Sequence, residues 1–499
     1  MNNFIVLPLV IPLFSGLLMA VFRKNIRVQR LLSVFSILLT LAVSYYLLQT
    51  VKVNGIQILE MGGWPAPYGI VLVVDLFSAL LLMTTGLVSF PCLIYAFQSI
   101  DGEREKFYFY TLIQFLLAGI NGSFITGDIF NLYVCFEVML LASYVLLSLG
   151  GSPVQLRESI KYIVINVLSS TFFLLGIAYL YGVLGTLNLA HLSARVAEAG
   201  QTGLMITIAV LFLIVFGIKA ALFLFFWLPG AYSAPPAAVS AIFAALLTKV
   251  GIYAIFRMYT LIFYHQPQIT HTLIAVMAAL TMLLGGIGAV GQWNIRKILG
   301  YNVIIGVGFV FSGLAIYTSS ALAGSIYYVI HDMVTKALLF LLGGTVISIV
   351  GTAKLKEISG LIHNHPSLGW MFLITTLALT GVPPLSGFIG KVLIIKEGLR
   401  KAVLQPGFYW LAGINLLSSL MILYSLSKIF INGFWGETQL SKEMEKRTTK
   451  GLLFPCVLLT AVCIFLGLGA EYLYPYVELA SQTIMEPKMY IQAVLGEVF

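Results

Sequence analysis

Runs of about twenty apolar residues follow one another along nearly the whole chain, parted by short stretches that hold most of the prolines and charges. A helix rises about 1.5 Å per residue, so each run is long enough to cross the ~30 Å hydrocarbon layer of a bilayer. The runs are continuous, whereas the strands of a membrane β-barrel alternate apolar and polar positions, so a barrel is excluded. The pattern predicts an all-α polytopic membrane protein with about fourteen spans, at 3–22, 28–49, 69–97, 107–125, 128–149, 157–183, 204–230, 235–262, 272–291, 298–317, 321–350, 368–396, 407–432 and 451–471. The first span is followed by basic residues, not preceded by them, and reads as a retained helix and not a cleaved signal.

An even number of spans puts both termini on one side, and loop charge chooses the side. Loops after odd-numbered spans hold sixteen Lys and Arg, among them Arg23, Arg104, Arg157, Lys161, Arg296, Lys442 and Lys450. The opposite side holds seven: Lys52, Arg195, Arg257, Lys396, Arg400, Lys401 and Lys488. The expected arrangement has the first set in the cytoplasm and both termini outside.

Composition agrees with this reading. The chain is 60% hydrophobic and 9% charged, against roughly 25% charged in soluble domains. The net charge of +9 sits mostly in short loops, so it does not point to nucleic acid. No stretch of soluble size and no Gly-rich phosphate motif offers a site for a nucleotide, flavin or iron–sulfur cluster. The four cysteines lie in apolar runs without a CxxC pair and read as inert core residues, so no cofactor or metal is expected.

The candidate chemistry lies in the charges that the loops do not account for. Lys219, Lys249, Lys336, Lys391 and Lys428 fall inside spans. Lys428 is near a span end and is expected to snorkel to the interface. A mid-span lysine costs roughly 2.5–3.5 kcal/mol on insertion, so the other four call for a functional reason. Glu137, in FNLYVCFEVMLL, is either a neutral carboxyl held by a hydroxyl or a carboxylate paired with a lysine on another helix. IHDMVTK holds His331, Asp332 and Lys336; Asp332 and Lys336, at i and i+4, can pair along one face. His331 is the residue best suited to change protonation near neutral pH.

Two of the lysines border helix-breaking sequence. Lys219 precedes WLPGAYSAPP, with Pro229, Pro235 and Pro236; Lys391 follows GVPPLSGFIG, with Pro383 and Pro384. Interrupted helices in corresponding parts of a membrane chain point to repeats and a mid-membrane ion path. Lys219 and Lys391 are 172 positions apart, which suits two five-span repeats, the second inverted because five is odd. The echo is incomplete, since 172 positions after Glu137 stands Phe309. Burial favours a lysine's neutral form and a nearby carboxylate its charged form. Glu137 approaching or leaving Lys219 would therefore switch that lysine between holding and releasing a proton, and the break at Pro229 would admit water.

These motifs together resemble the antiporter-like membrane subunits shared by Mrp-type multisubunit cation/proton antiporters and respiratory complex I. The resemblance spans nearly the whole chain and is strongest over 105–400. Two details favour the Mrp branch and its D-type subunits. GYNVIIGVGF replaces an AYSSxxHxG-like stretch, and IHDMVTK sets the histidine five residues before the lysine where complex I-type subunits have four. The chain also stops soon after span fourteen, without a long lateral helix.

The resemblance implies N-terminal helices over 1–104, a translocating core over 105–432 with spans 4–8 and 9–13 as inverted repeats, and a C-terminal loop, helix and tail over 433–499. It implies that Glu137 and Lys219 form a modulating pair, that Lys249, His331 and Lys336 continue a central polar axis, and that Lys391 ends it. The implied function is that of an ion-translocating subunit, not an enzyme, of a Na⁺/H⁺ antiporter in a bacterial cell membrane. Its partners would be a second, larger antiporter-like subunit, small membrane subunits, H⁺ and Na⁺. The chain itself would move protons, with the cation passing in part elsewhere in the complex. The alternative is a proton-pumping subunit of an NADH dehydrogenase or membrane-bound hydrogenase.

Overall fold

The computed structural model describes residues 2–201, 203–437 and 445–496; Lys442, counted above among the loop charges, lies outside them. The main helices are α1 (Asn3–Val21), α2 (Ile26–Asn54), α3 (Leu76–Ser99), α4 (Phe109–Ile125), α5 (Ile129–Ser148), α6 (Pro153–Leu184), α7 (Gly203–Ala220), α8 (Ala237–Ile262) and α9 (Pro267–Gly291). They continue as α10 (Ile295–Ile316), α11 (Ser319–Val350), α12 (Pro366–Thr380), α13 (Ser386–Leu404), α14 (Gly407–Gly433), α15 (Leu453–Leu468), α16 (Ala470–Met485) and α17 (Pro487–Leu495).

Several of these helices start where the chain supplies a cap. Asp75 and Ser78 form a reciprocal box at the head of α3, Asp128 accepts from Asn131 N at 2.7 Å to begin α5, and Ser152 with Gln155 boxes α6 behind Pro153. These side chains satisfy amides that a helix start leaves unpaired. Span three begins at Leu76, not at 69, because 71–74 pairs as an antiparallel strand with 57–60. Beyond 471 the helices α16 and α17 continue the chain to Leu495, and α15 and α16 meet at a 74° bend.

Every expected span has a helix, or a pair of helix pieces, at its place in the chain. Among the described residues, eleven helices are long and apolar enough to cross a bilayer, and twelve if the bent pair counts as one. The shortfall from fourteen includes α4, with 17 residues, and α12, with 15. The buried middle of the molecule is built from α8, α10, α11 and α3. α8 is buried at every position from Ala238 to Ile262, whereas the peripheral α1 is mostly open to the surroundings. A helix enclosed on all sides has no face left for water or lipid, so its charged residues must find partners inside the protein.

Candidate functional site

The first polar station joins three helices. Lys219, in the last turn of α7, donates from Nζ to Ser170 Oγ of α6 at 3.0 Å. Ser170 in turn donates a short hydrogen bond to Glu137 Oε1 of α5. Glu137 and Lys219 are thus brought together through the Ser170 hydroxyl, which stands between them. The ammonium also lies 5.1 Å from the centre of the Phe136 ring, a cation–π contact. Nothing in the sequence singles out Ser170, because a serine in an apolar helix usually bonds its own backbone.

The break beside Lys219 differs from the expected one. α7 ends at Ala220, and Ala221 and Phe223 take left-handed backbone with φ 62°. One local and one tertiary bond hold this turn: Trp227 Nε1 donates to Ile218 O at 3.1 Å, and Phe223 N donates to Thr281 Oγ1 of α9 at 2.7 Å. Pro229 does not break the helix. It sits in the first turn of the short helix Leu228–Ser233, where a missing N–H costs nothing. Pro235 and Pro236 separate that helix from α8, with Pro236 at its N-cap.

The second station is held by Asp332 of α11. Lys249 Nζ of α8 lies 2.7 Å from Asp332 Oδ2, and Lys336 Nζ lies 3.5 Å from Oδ1. The lysine side chains are fully buried and the aspartate nearly so. Pairing of Asp332 with Lys336 alone is thus only part of the arrangement, since its closer partner comes from another helix. Lys249 also donates to Ala244 O at 2.9 Å, within the π-helical turn Phe243–Leu247. A π turn shifts the backbone ladder and frees a carbonyl. Lys336 donates to Asn302 O of α10 at 2.8 Å. Gly306 keeps α10 against the carboxylate, because a Cβ there would stand 2.6 Å from Asp332 Oδ1.

His331 faces elsewhere. Five residues separate it from Lys336, which is roughly 140° around a helix. Its Nδ1 meets Ser386 Oγ at the head of α13 at 2.7 Å, and its Nε2 is buried without a protein partner. Lys391 of α13 donates to the last carbonyls of α12, Leu379 O at 2.7 Å and Thr380 O at 2.9 Å, and to Ser419 Oγ at 3.2 Å. A cation is favoured at a helix C-terminus, where unpaired carbonyls and the helix dipole are negative. Pro383 and Pro384 lie in the interruption between α12 and α13.

Two other expectations change. Lys428 does not snorkel: it is buried and donates to Val290 O at 2.7 Å and Gln292 O at 2.6 Å, at the end of α9. Arg257, assigned above to an outer loop, is buried in α8, where its Nη2 meets Asp75 Oδ2 at 2.7 Å and Tyr253 Oη at 3.2 Å.

A helical membrane bundle with interrupted helices and buried lysines, each seated on a carbonyl, hydroxyl or carboxylate, defines a class: integral membrane proteins of the ion-transport type. Within that class the chain belongs to the NADH:quinone oxidoreductase/Mrp antiporter transmembrane family, whose model matches residues 126–411. It is 49% identical over 498 residues to the D-type subunit of the Na(+)/H(+) antiporter of Bacillus subtilis (strain 168), covering 100% of both chains. Its fold matches a chain of the Mrp complex from Dietzia sp. DQ12-45-1b with a TM-score of 0.91 at 29% identity, covering 99% of this chain and 100% of that one. It also matches a chain of the membrane-bound sulfane sulfur reductase, an archaeal respiratory membrane complex, with a TM-score of 0.92 at 26% identity over 99% and 100% of the two chains.

Proposed function

We propose that this chain is an ion-translocating component of a multisubunit Na⁺/H⁺ antiporter, the D-type subunit of an Mrp complex, in a bacterial plasma membrane. It moves protons along Glu137, Lys219, Lys249, Lys336, His331 and Lys391, and catalyses no covalent reaction. The observation that carries the reading is Asp332 shared between Lys249 and Lys336. One carboxylate facing two buried ammonium groups leaves an excess positive charge, and a lysine can remove it by releasing a proton. The 49% identity to a D-type antiporter subunit favours this over the respiratory reading.

On this reading the chain crosses the membrane fourteen times, with α4, the α12–α13 pair and α15 joining the eleven long helices. It is organised as 1–104, 105–432 and 433–499, with inverted repeats over spans 4–8 and 9–13. Loops after odd-numbered spans face the cytoplasm and both termini face outward; removing Arg257 from the outer tally strengthens the charge difference. The partners are a larger antiporter-like subunit and small membrane subunits, which complete the cation path.

The test is the purified complex in liposomes under imposed gradients. A Na⁺ gradient should drive proton movement, and a proton gradient Na⁺ movement, without an electron donor. Proton movement that ignores Na⁺ and requires a redox substrate would overturn the reading in favour of a respiratory subunit.

A further inference from the structure

A file of buried polar groups, of which only Ser170 is described above, runs along one edge of α6. Glu158, Tyr162, Asn166 and Ser170 recur every fourth residue, which aligns them on one helix face. All four are buried, Glu158 at 7% exposure, in a helix that is otherwise largely open to the surroundings. At 1.5 Å per residue the file from Glu158 to Ser170 covers about 18 Å, from the start of α6 to the first station.

Its outer end meets two exposed cations. Glu158 is held by Arg157 at 2.8 Å and Lys161 at 3.3 Å, whose side chains are 70% and 54% exposed. Its other oxygen rests against Gly230, in the segment following the α7 break, where any Cβ would collide with it. Further in, Tyr162 Oη lies 3.1 Å from Ser143 Oγ of α5, and Asn166 Nδ2 donates to Tyr162 O at 2.9 Å. Three hydroxyls around this stretch are buried without a protein partner: Ser159 Oγ, Tyr144 Oη and Tyr232 Oη. The Tyr144 ring lies 5.4 Å from that of Tyr162. Trp227 lies between Tyr162 and Tyr232, at 5.1 and 5.9 Å. Tyr144 is two turns from Glu137 along α5, on the same side. Buried hydroxyls without protein partners are groups that bridging water can satisfy, so this stretch offers donors and acceptors on both sides of Tyr162.

We propose that this edge of α6 is a proton lane. Glu158 exchanges protons with water at the membrane face where α6 begins, the hydroxyl-lined stretch conducts them inward through bridging water, and Ser170 passes them between Lys219 and Glu137. The proposal rests on the proton-translocating reading above. At Ser170 the step is a concerted exchange. One N–H bond of the Lys219 ammonium breaks as that proton binds Ser170 Oγ, and the proton already on Ser170 leaves for Glu137. The ammonium becomes an amine, the carboxylate becomes a carboxylic acid, and the hydroxyl is regenerated. The return of a proton to Lys219 reverses each bond change.

The test uses the complete complex in liposomes, with rates normalised to assembled complex. Ser170→Ala should lower exchange at least tenfold, and Ser170→Thr, which keeps a hydroxyl, should restore most of it. Glu158→Gln should keep the maximal rate at high proton concentration on the face where α6 begins, but need several-fold more protons there to reach half of it. A structural role for Glu158 would lower the rate equally at all proton concentrations, and that result overturns the lane. Wild-type exchange in Ser170→Ala, or equal loss in Ser170→Ala and Ser170→Thr, overturns it too. Lys391→Ala, outside the lane, tests the underlying reading separately. If that variant runs at the wild-type rate, proton translocation along the axis has failed; if it is inactive while the α6 variants are normal, only the lane has.

Discussion

Replacing Asp332 by Asn removes one charge and almost no volume, so it isolates the electrostatic work of the second station. With Lys249 at 2.7 Å and Lys336 at 3.5 Å, an effective dielectric constant of ~20 gives attractions of about 6 and about 5 kcal/mol. The full sum is not felt, because a lysine stripped of its counter-charge can discard its proton. Breaking a buried pair costs about 3–5 kcal/mol in practice. Carried wholly into the barrier for proton transfer, at 1.36 kcal/mol per tenfold, that range sets an upper bound on the loss of exchange between about a hundredfold and a few thousandfold. The assay is Na⁺-dependent proton movement in everted vesicles, normalised to assembled complex, alongside the complex's melting temperature. Asp332→Asn should lose transport, up to that bound, and melt at a lower temperature. Removing Lys249 as well, in Asp332→Asn/Lys249→Met, should recover much of the stability but not the transport, because the station then lacks its titrating pair. Wild-type exchange in a complex carrying Asp332→Asn would refute the argument that this carboxylate balances the two lysines.

Lys391→Ala should abolish exchange while the complex still assembles, and Lys391→Arg should fail as well, since arginine does not release a proton in this range; normal rates in the Arg variant would mark Lys391 as a fixed charge on the end of α12. Glu137→Ala and Lys219→Ala should each collapse exchange, and the double variant should be no worse than either, because groups joined through Ser170 act as a unit; partial losses that multiply would show two independent residues. Expressed without its neighbours, the chain should give no Na⁺-dependent dissipation of a proton gradient in vesicles; robust exchange by the lone chain would contradict its place in a multisubunit complex.

The length and continuity of the apolar runs are local properties, and they locate the helices to within a few residues in most cases. The cost of a charge in hydrocarbon is also local, so Lys219, Lys249, Lys336 and Lys391 stand out in the sequence as the residues that need a reason to be there. Their partners are another matter. Which group meets which depends on how each helix is rotated and what crosses its face. That is why Ser170 comes between Glu137 and Lys219, why Asp332 leans more closely on Lys249 of α8 than on Lys336 four residues along its own helix, and why His331 turns to Ser386. Lys428 and Arg257 depart from expectation for the same reason: their carbonyl and carboxylate partners come from segments far away in the chain. The break after Lys219 carries no proline or glycine signal. It exists because Trp227, nine residues on, holds the backbone at Ile218 and Thr281 of α9 holds it at Phe223, the second a bond that only the packed bundle brings within reach. Sequence alone determined that this is a helical membrane protein with buried lysines. The tertiary structure decided how those lysines are linked, because hydrogen-bond partners are a matter of distance in space and not of spacing along the chain.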